Sequence, residues 1–405
     1  MPALSKLKTL SNLTRIWFAL SLIPMLSVVS CADNEDSSKI AEINDRIENE
    51  FAPDKRVAVY DIEIVSDRNA IRIKGETDQP EALEQLKEEL EPFHTSIVNE
   101  VSLLPDTSIG IHPYAVVNNS VANIRSAPRH SAELATQAIL GTGLKVLKIE
   151  GDFYRVQTPD QYISWVDHGG VQLMTQEEYD SWSTAPKMIY LKTSGHVYAS
   201  KDNELETQGD LVLGSLLKLT GKDEKYFEVA YPDGRIGYVR RDEAEVYLDW
   251  LDELNPSPDR LELYARSLLG SPYLWGGTSS KGMDCSGFTK TAFRMNGLII
   301  PRDASQQIMA GKDFDPELSF ESLTKGDLMF FGKKATDSTR QRVTHVAIWL
   351  GNDRGEFIHS SGRVKIGSID SNAPNYDEFN TGRYLGSRRY LGESDPQIAP
   401  LPFKN

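Results

Sequence analysis

The sequence predicts a multidomain protein, and three features of its 405 residues indicate this. Helical and strand-like patterns are mixed from residue 40 to about 105. Short strands separated by turns follow, in two stretches whose elements have matching order, and the last stretch again combines helices with strands. Because single domains typically hold about 150 residues, two to four domains are expected. We therefore predict a small α+β module, two β-rich units and a C-terminal α+β domain.

Residues 1–31 have the pattern of an export signal rather than of a folded element. Lys6, Lys8 and Arg15 precede an apolar run that ends at Ser30. This run is short for a membrane-spanning helix of about 20 residues and is interrupted by Pro24. We expect the segment to direct export and to be removed.

The end of this segment, Val28-Val29-Ser30-Cys31, resembles a lipobox. The resemblance implies that Cys31 is lipidated and anchors the chain to a membrane of a bacterial cell envelope, on its periplasmic or surface side. A plain secreted protein remains the alternative, since Val29 is bulkier than the small residue typical there. The acidic, serine-containing residues 32–39 are then expected to form a solvated tether.

Residues 40–110 are predicted to form the small α+β module. Its expected elements are a helix at Lys39 to Phe51, strands at Val57 to Ser66 and Ala70 to Gly75, a helix at Pro80 to Glu91 and a strand at Ser96 to Leu103. Apolar residues alternate in both of the first two strands. No cluster of residues here indicates chemistry, so a spacer or docking role is expected.

Residues 114–173 and 186–248 are the two β-rich units, and each resembles a bacterial SH3-like barrel. Short strands recur in matching order, which is typical of an internal repeat. Between the units, Thr175 and Glu178 have the capping-box spacing of a helix start. Ser257 and Pro258 have the pattern of an N-cap and first helical residue, and mark the start of the last domain, residues 256–395.

The chemistry is expected at Cys285. Gly276 and Gly277 indicate a tight turn that side chains would block, and Asp284 occupies an N-cap position. Cys285 then falls in the first turn of a helix, where free backbone N–H groups and the helix dipole favour a thiolate. The alternative is a buried structural cysteine at the start of a core helix.

Two of the seven histidines follow Cys285, and both lie in strand-like runs. The alternation puts His345 on one strand face with Ala347 and Trp349, against Val346 and Ile348 on the other, and His359 ends an apolar run. Each alone could be an ordinary core residue. Together with an unpaired cysteine they indicate a base for the thiol proton and a third polar group that orients the base.

At this point the residues carry a resemblance: the region from about Pro258 to Gly392 is similar to the NlpC-type cell-wall cysteine peptidases. The matching motifs are Tyr273-Leu274-Trp275-Gly276-Gly277, Asp284-Cys285-Ser286-Gly287-Phe288, Pro301-Arg302-Asp303, Gly326-Asp327-Leu328, and His345 and His359 in order. The resemblance implies a papain-like α+β fold. It also implies Cys285 as nucleophile, His345 as general base, His359 as third member, and no requirement for a metal or other cofactor.

Within this group the chain resembles the γ-D-glutamyl-L-diamino-acid peptidases, in which an SH3-like barrel caps the cleft and holds the free amine of an N-terminal L-Ala. The substrate-binding residues implied are Glu133, Tyr162, Tyr273, Trp275, Asp284, Ser286, Asp303 and Ala304. Ala304 stands where relatives often carry Ser. Asp303 has a structural alternative, because with Gln306 it also fits a helix capping box.

These observations predict a peptidase that hydrolyses the bond after γ-D-Glu in cell-wall peptides with a free N-terminal L-Ala. L-Lys and diaminopimelate both remain open as the diamino acid. The formal net charge of −15 makes nucleic acid an unsuitable partner. The alternatives are a general wall endopeptidase, an acyltransferase or amidase with the same Cys-His site, and a non-catalytic wall-binding protein. The expected partners are peptidoglycan-derived peptides and, through lipid, a membrane.

Overall fold

The computed structural model describes residues 32–66, 70–93 and 96–401. The export signal and Cys31 lie outside the described residues. The α-helices are α1 (Ala32–Phe51), α2 (Pro80–Leu90), α3 (Gln176–Thr184), α4 (Tyr247–Asp252), α5 (Pro258–Ser267), α6 (Cys285–Met295), α7 (Ala304–Gln307) and α8 (Glu378–Thr381), with short 3₁₀ turns at Glu91–Phe93, Thr107–Ile109 and His168–Gly170.

The helix predicted to start at Lys39 starts earlier, within the residues predicted to form a solvated tether. Helix α1 begins at Ala32 rather than at Lys39, so this acidic segment forms the first turns of the helix. Acidic residues are favourable near a helix N-terminus because the helix dipole is positive there. The composition that indicated solvation is therefore also compatible with a helix.

The N-terminal module has the predicted order of helix, two strands, helix and strand. Its strands are β1 (Tyr60–Ser66), β2 (Ile71–Thr77) and β3 (Ile97–Leu103). Strand β1 is antiparallel to β2, and β2 is parallel to β3. Helices α1 and α2 pack with the sheet around a core that includes Ile47, Ile71, Ile73 and Leu86.

Two seven-stranded antiparallel sheets follow, and they have the same topology. The first contains β4 (Tyr114–Val117), β5 (Val121–Arg125), β6 (Leu134–Ile139), β7 (Gly143–Glu150), β8 (Phe153–Gln157), β9 (Ile163–Asp167) and β10 (Val171–Met174). The second contains β11 (Lys187–Tyr190), β12 (Ser194–Tyr198), β13 (Thr207–Val212), β14 (Leu216–Lys222), β15 (Tyr226–Ala230), β16 (Ile236–Arg240) and β17 (Ala244–Val246). The strand orders β10-β4-β7-β8-β9-β5-β6 and β17-β11-β14-β15-β16-β12-β13 correspond strand for strand, which confirms the internal repeat.

Neither sheet closes into the predicted barrel among the described residues, because the end strands of each order do not pair with each other. In the first sheet, the C-terminal domain covers the terminal strand β6 instead. Thr278 donates through its backbone N–H to Gln137 Oε1 at 3.0 Å and through its hydroxyl to the Gln137 carbonyl at 2.9 Å. Backbone polar groups at this edge are thus satisfied by another domain.

The strands of the C-terminal domain are β18 (Thr278–Ser279), β19 (Gly282–Met283), β20 (Leu298–Ile299), β21 (Leu328–Lys333), β22 (Arg342–Trp349), β23 (Glu356–Ser361), β24 (Arg363–Ser368), β25 (Tyr384–Arg388) and β26 (Ala399–Pro400). Five of them form an antiparallel sheet of order β24-β23-β22-β21-β25. Helix α6 packs against β22 and β23. The short strands form the pairs β18-β19 and β20-β26.

The alternation predicted for strand β22 is present. Val346 and Ile348 pack in the core that contains Phe288 of α6, whereas Ala347 and Trp349 pack with Phe331 and Phe357 in a second core. Strand β22 is therefore buried on both faces, and its histidine lies near Phe331 of the second core, with ring centroids 5.8 Å apart. In the part of the chain that the structure describes, no helix has the length and apolar character to cross a membrane.

Candidate active site

The start of helix α6 has the predicted geometry. Asp284 is the N-cap, and its Oδ1 accepts a hydrogen bond from the Gly287 N–H at 2.6 Å. The preceding turn needs glycine at position 276, where φ is +76° and a Cβ atom would lie 2.2 Å from the Leu134 carbonyl oxygen. Leu134 belongs to the first β-rich sheet, so this turn also brings that sheet against the site.

A buried ion pair holds the cap in place. The Arg302 guanidinium, whose side chain has no exposed surface, donates to both carboxylate oxygens of Asp284 at 3.1 and 2.8 Å. It also donates to the hydroxyls of Ser286 and Thr136 at 3.0 and 2.8 Å. Asp284 lines the pocket, but both of its oxygens already have partners, so its main effect is to position the residues around Cys285.

The two predicted histidines are hydrogen-bonded to each other. His345 Nε2 lies 2.8 Å from His359 Nδ1, and both rings are buried. His359 Nε2 lies 3.6 Å from Asp377 Oδ2, which precedes helix α8. A carboxylate on this side favours a proton on His359 Nε2, so that His359 Nδ1 accepts from His345 Nε2–H. The remaining nitrogen, His345 Nδ1, then carries a lone pair that can accept a proton.

Burial makes both imidazoles neutral at neutral pH. Desolvation, with the neighbouring His359, Arg383 and Lys365, lowers the pKa of His345 well below its usual value. Desolvation also lowers the pKa of His359, and the attraction of Asp377 only partly opposes this. Neutral rings are the form that a general base requires.

The thiolate expected at Cys285 is not favoured in this structure. Desolvation, reinforced by the negative charge of Asp284, raises the pKa of the Cys285 thiol to about 12. Backbone hydrogen bonds from Val346 and Ser286 and the charge of Arg302 oppose the increase without cancelling it. A helix terminus alone would lower the pKa of the thiol, but burial of the whole side chain has the larger effect and raises it. In the free site the Cys285 thiol is uncharged and interacts with the backbone N–H of Val346, the residue that follows His345, and the rings of His345 and His359 are neutral.

One pocket of about 330 Å³ collects Cys285 and all eight predicted substrate-binding residues. Cys285 and Ser286 line it at the helix start, and Tyr273, Trp275 and Asp284 line it from the preceding segment. Desolvation and the nearby Cys285 raise the pKa of the Tyr273 hydroxyl, which therefore remains a hydrogen-bond donor. Glu133 and Trp275 are 142 positions apart in the sequence, yet the fold brings them together.

The first β-rich sheet forms one wall of this pocket. The Trp275 indole N–H donates to Glu133 Oε1 at 2.6 Å, which connects the C-terminal domain to the sheet directly above the pocket. Glu133 is exposed, and none of the described residues forms an ion pair with it. Tyr162 lies beside it in the pocket lining and is buried rather than solvated, and burial raises the pKa of its hydroxyl.

Asp303 is the N-cap of helix α7 and also lines the pocket. Its backbone N–H donates to Gln306 Oε1 at 3.1 Å, which is the capping contact at the start of helix α7. Its carboxylate lines the pocket, as does the methyl group of Ala304. Asp303 Oδ2 is already bound, however, by Arg56 Nη1 at 2.8 Å, and Arg56 comes from the N-terminal module.

Three contributors to the site were not predicted. Arg302 belongs to a matching motif, but its buried role could not be predicted because its partner Thr136 lies 166 positions away. Asp377 had a helix-start pattern and no local sign of a histidine partner. Arg56 lies 247 positions from Asp303 in a module with no recognisable chemistry, so no sequence signal could have placed it here.

A larger cavity of about 440 Å³ lies between the two β-rich sheets and the other side of α6. None of the predicted site residues lines it. Its charged groups are already satisfied: Lys290 pairs with Asp160 at 2.7 Å, and Lys187 donates to the carbonyls of Ser183 and Ala185 at the end of α3. Within residues 32–66, 70–93 and 96–401, no group of three or more His, Cys, Asp or Glu side chains could hold a metal ion.

The class of the protein is defined by a buried thiol at a helix start, by the neighbouring antiparallel strand β22 with its hydrogen-bonded histidine, and by the SH3-like unit that lines the same pocket. Residues 270–383 match the model of the NlpC/P60 family, and residues 124–170 match that of the bacterial dipeptidyl-peptidase Sh3 domain. The chain belongs to the NlpC/P60 family.

Named relatives are similar to this chain over much of their length. The chain is 32% identical over 268 residues to a gamma-D-glutamyl-L-lysine dipeptidyl-peptidase of Bacillus cereus, covering 64% of this chain and 76% of the relative. It is 29% identical over 230 residues to the protein of the same name from Bacillus subtilis, covering 56% and 72%. A crystal structure of an NlpC/P60 family protein from Bacillus cereus superimposes with a TM-score of 0.58 at 28% identity, covering 69% of this chain and 99% of that one.

Proposed function

We propose that this protein is a cysteine peptidase that hydrolyses the amide between γ-D-Glu and an L-diamino acid in cell-wall peptides with a free N-terminal L-Ala. One observation carries the proposal: Cys285 and the eight residues implied by the resemblance line a single pocket. The names of the two Bacillus relatives support the bond and the dipeptide product. The diamino acid is L-Lys or diaminopimelate.

His345 and His359 are not among the described residues that line this pocket, but His345 directly precedes Val346, whose backbone N–H contacts the Cys285 thiol, and this supports the following reaction. The Cys285 sulfur attacks the γ-carbonyl carbon while His345 accepts the thiol proton, and His345 then donates that proton to the leaving amine. A thioester remains on Cys285. His345 next removes a proton from water, which attacks the thioester and releases the dipeptide and the thiol. Because the free thiol has a raised pKa, it loses its proton to His345 as the sulfur attacks the carbonyl, rather than beforehand.

Two donors are available for the oxyanion. The Cys285 backbone N–H lies in the first turn of α6, where N–H groups have no partner within the helix. The Tyr273 hydroxyl lies in the same pocket and stays protonated. Each such donor contributes about 3 kcal/mol to transition-state stabilisation.

The pocket wall formed by the first β-rich sheet supports the restriction to substrates with a free N-terminal amine. An ammonium group that enters this pocket loses water and needs carboxylates in exchange. Glu133 is exposed and has no cationic partner among the described residues, so it is available for this purpose. Asp303 is less available for the ammonium group, because it already pairs with Arg56. The Tyr162 hydroxyl adds a polar group between them.

Hydrolysis of synthetic L-Ala-γ-D-Glu-L-Lys and its diaminopimelate counterpart tests the proposal. We expect release of the dipeptide and the diamino acid by the wild type and none by Cys285→Ala or His345→Ala. Both variants should keep the wild-type melting temperature within a few degrees. Hydrolysis by folded Cys285→Ala, or none by the wild type, would refute the assignment.

We further propose export and lipid anchoring through Cys31 in a bacterial cell-envelope membrane. The basic residues and apolar run before Cys31 support this. Expression of the full chain with Cys31→Ser should move the protein from the membrane fraction to the soluble fraction. Unchanged partitioning would show that Cys31 is not the anchor.

A further inference from the structure

The N-terminal module contributes a side chain to the pocket that holds Cys285. Arg56 lies between α1 and β1, and its guanidinium lines that pocket with Asp303 and Ser305. Its backbone carbonyl accepts a hydrogen bond from the Ile163 N–H at 2.7 Å, directly after Tyr162. The position of Arg56 is therefore fixed by the β-rich sheet that forms the pocket wall.

The guanidinium is held firmly but is not saturated. Its Nε and Nη2 each donate to the Asp54 carboxylate at 2.8 Å, and Nη1 donates to Asp303 and Ser305 at 2.8 and 2.9 Å. Arginine has five N–H donors, so one Nη2 hydrogen has no acceptor among the described residues. A third of the side chain, 33%, is exposed. Asp54 is itself held by Gln306 Nε2 at 2.8 Å.

The charges around the pocket make this cation important. Glu133, Asp284 and Asp303 all line the pocket, and Arg56 is the single cationic side chain among the described lining residues. A substrate carboxylate that entered the pocket would be repelled by these three carboxylates unless a cation paired with it. Arg56 pairs well with carboxylates because its donors match their geometry.

The proposed substrate carries such a carboxylate. When the γ-carboxyl of D-Glu forms the scissile amide, its α-carboxyl remains free and ionised, a few bonds from the reacting carbon. We propose that Arg56 is a specificity-determining residue that binds this α-carboxylate. The inference rests on the proposed function, and it gives the N-terminal module a part in substrate selection.

The test compares two peptides that differ only at this group: L-Ala-γ-D-Glu-L-Lys and its α-carboxamide, L-Ala-γ-D-isoglutaminyl-L-Lys. We expect the wild type to prefer the carboxylate. Arg56→Gln should lower kcat/KM on the carboxylate peptide by roughly tenfold or more and change the value for the carboxamide by less than about threefold. Arg56→Lys, which keeps the charge, should retain most of the preference.

Glu76→Gln is the matched control for docking of the module. Glu76 pairs with Lys148 and Arg155 of the first β-rich sheet and does not line the pocket, so its loss should leave the preference unchanged. Equal loss on both peptides in Arg56→Gln, or the same change in Glu76→Gln, would overturn the inference.

Binding provides a readout that does not need catalysis. Calorimetric titration of both peptides into Cys285→Ala, with and without Arg56→Gln, should show that the preference for the carboxylate depends on Arg56. Absence of hydrolysis by the wild type would refute the proposed reaction, whereas this titration still decides the role of Arg56. Equal affinities for the two peptides in the presence of Arg56 would contradict it.

Discussion

His345 and His359 are joined by one buried hydrogen bond, with His345 Nε2 lying 2.8 Å from His359 Nδ1. Because each ring has two nitrogens, the proton on this bond determines which atom of His345 is available as a base. Asp377 lies 3.6 Å from the outer nitrogen of His359 and favours the arrangement that leaves His345 Nδ1 unprotonated. The histidine pair therefore determines the tautomer as well as the orientation of the base.

Asp377→Asn tests this tautomer control. The amide can still cap helix α8 but can donate to His359 Nε2, which would favour the wrong tautomer. We expect kcat to fall on the order of tenfold or more with KM little changed. Glu378→Gln, a neighbouring exposed change, is the control and should have wild-type kcat. A wild-type kcat in Asp377→Asn would show that Asp377 does not act through the histidines.

The buried histidines also predict how stability depends on pH. Their pKa values are lowered in the folded state, so below the ordinary histidine pKa of about 6.5 the unfolded chain binds protons that the folded chain does not. The free energy of unfolding should therefore fall as the pH decreases from about 7 to about 5. The measurement is urea unfolding across this range.

A double variant, His345→Gln with His359→Gln, isolates their contribution. Other groups titrate in the same range, but the variant lacks only the two imidazoles. Its free energy of unfolding should decrease less than that of the wild type over the same pH interval. Parallel curves for the two proteins would mean that the histidines titrate normally in the folded state.

The buried ion pair between Arg302 and Asp284 predicts that loss of Arg302 destabilises the fold, and that a second change at Asp284 restores part of the stability. Arg302→Met leaves the buried Asp284 carboxylate without its cation, which should cost about 3–5 kcal/mol in the free energy of unfolding. Adding Asp284→Asn removes the unpaired charge and keeps a capping side chain, so the double variant should be more stable than Arg302→Met alone. Equal stability of the single and double variants in urea unfolding would show that the pair is not coupled.

Local rules were sufficient to predict the cap and the turn at the start of helix α6. Asp284 caps α6 and Gly276 has a positive φ because both features depend on a few neighbouring residues. The capping box at Thr175 and the N-cap at Ser257 are also confirmed for this reason. The resemblance then placed the substrate-binding residues in what the structure shows to be one pocket.

What the sequence could not predict depends on contacts between distant segments. The raised pKa of Cys285 results from burial that no local pattern shows, and it reverses the effect expected from the helix terminus. Arg302 is stable in the interior only because Thr136 and Asp284 converge on it. Arg56 reaches the pocket because its module docks on the first β-rich sheet, where Val59 and Leu104 pack with Leu147 and Ile163.

The central claim is that the pocket wall selects peptides with a free N-terminal amine, and Glu133 is its most accessible carboxylate. Loss of this charge should lower kcat/KM on L-Ala-γ-D-Glu-L-Lys on the order of tenfold, because a hydrogen-bonded charge partner is removed. Glu133→Gln removes the charge but keeps the size of the side chain and an oxygen that can accept from Trp275, so it tests the effect of the charge alone.

The most direct measurement is kcat/KM of the wild type and Glu133→Gln on this peptide and on its N-acetylated form. We predict that the wild type cleaves the free peptide at least about tenfold more efficiently than the acetylated one, and that Glu133→Gln lowers only the value for the free peptide. Equal cleavage of both peptides by the wild type would contradict the account, because the wall would then not select for a free amine.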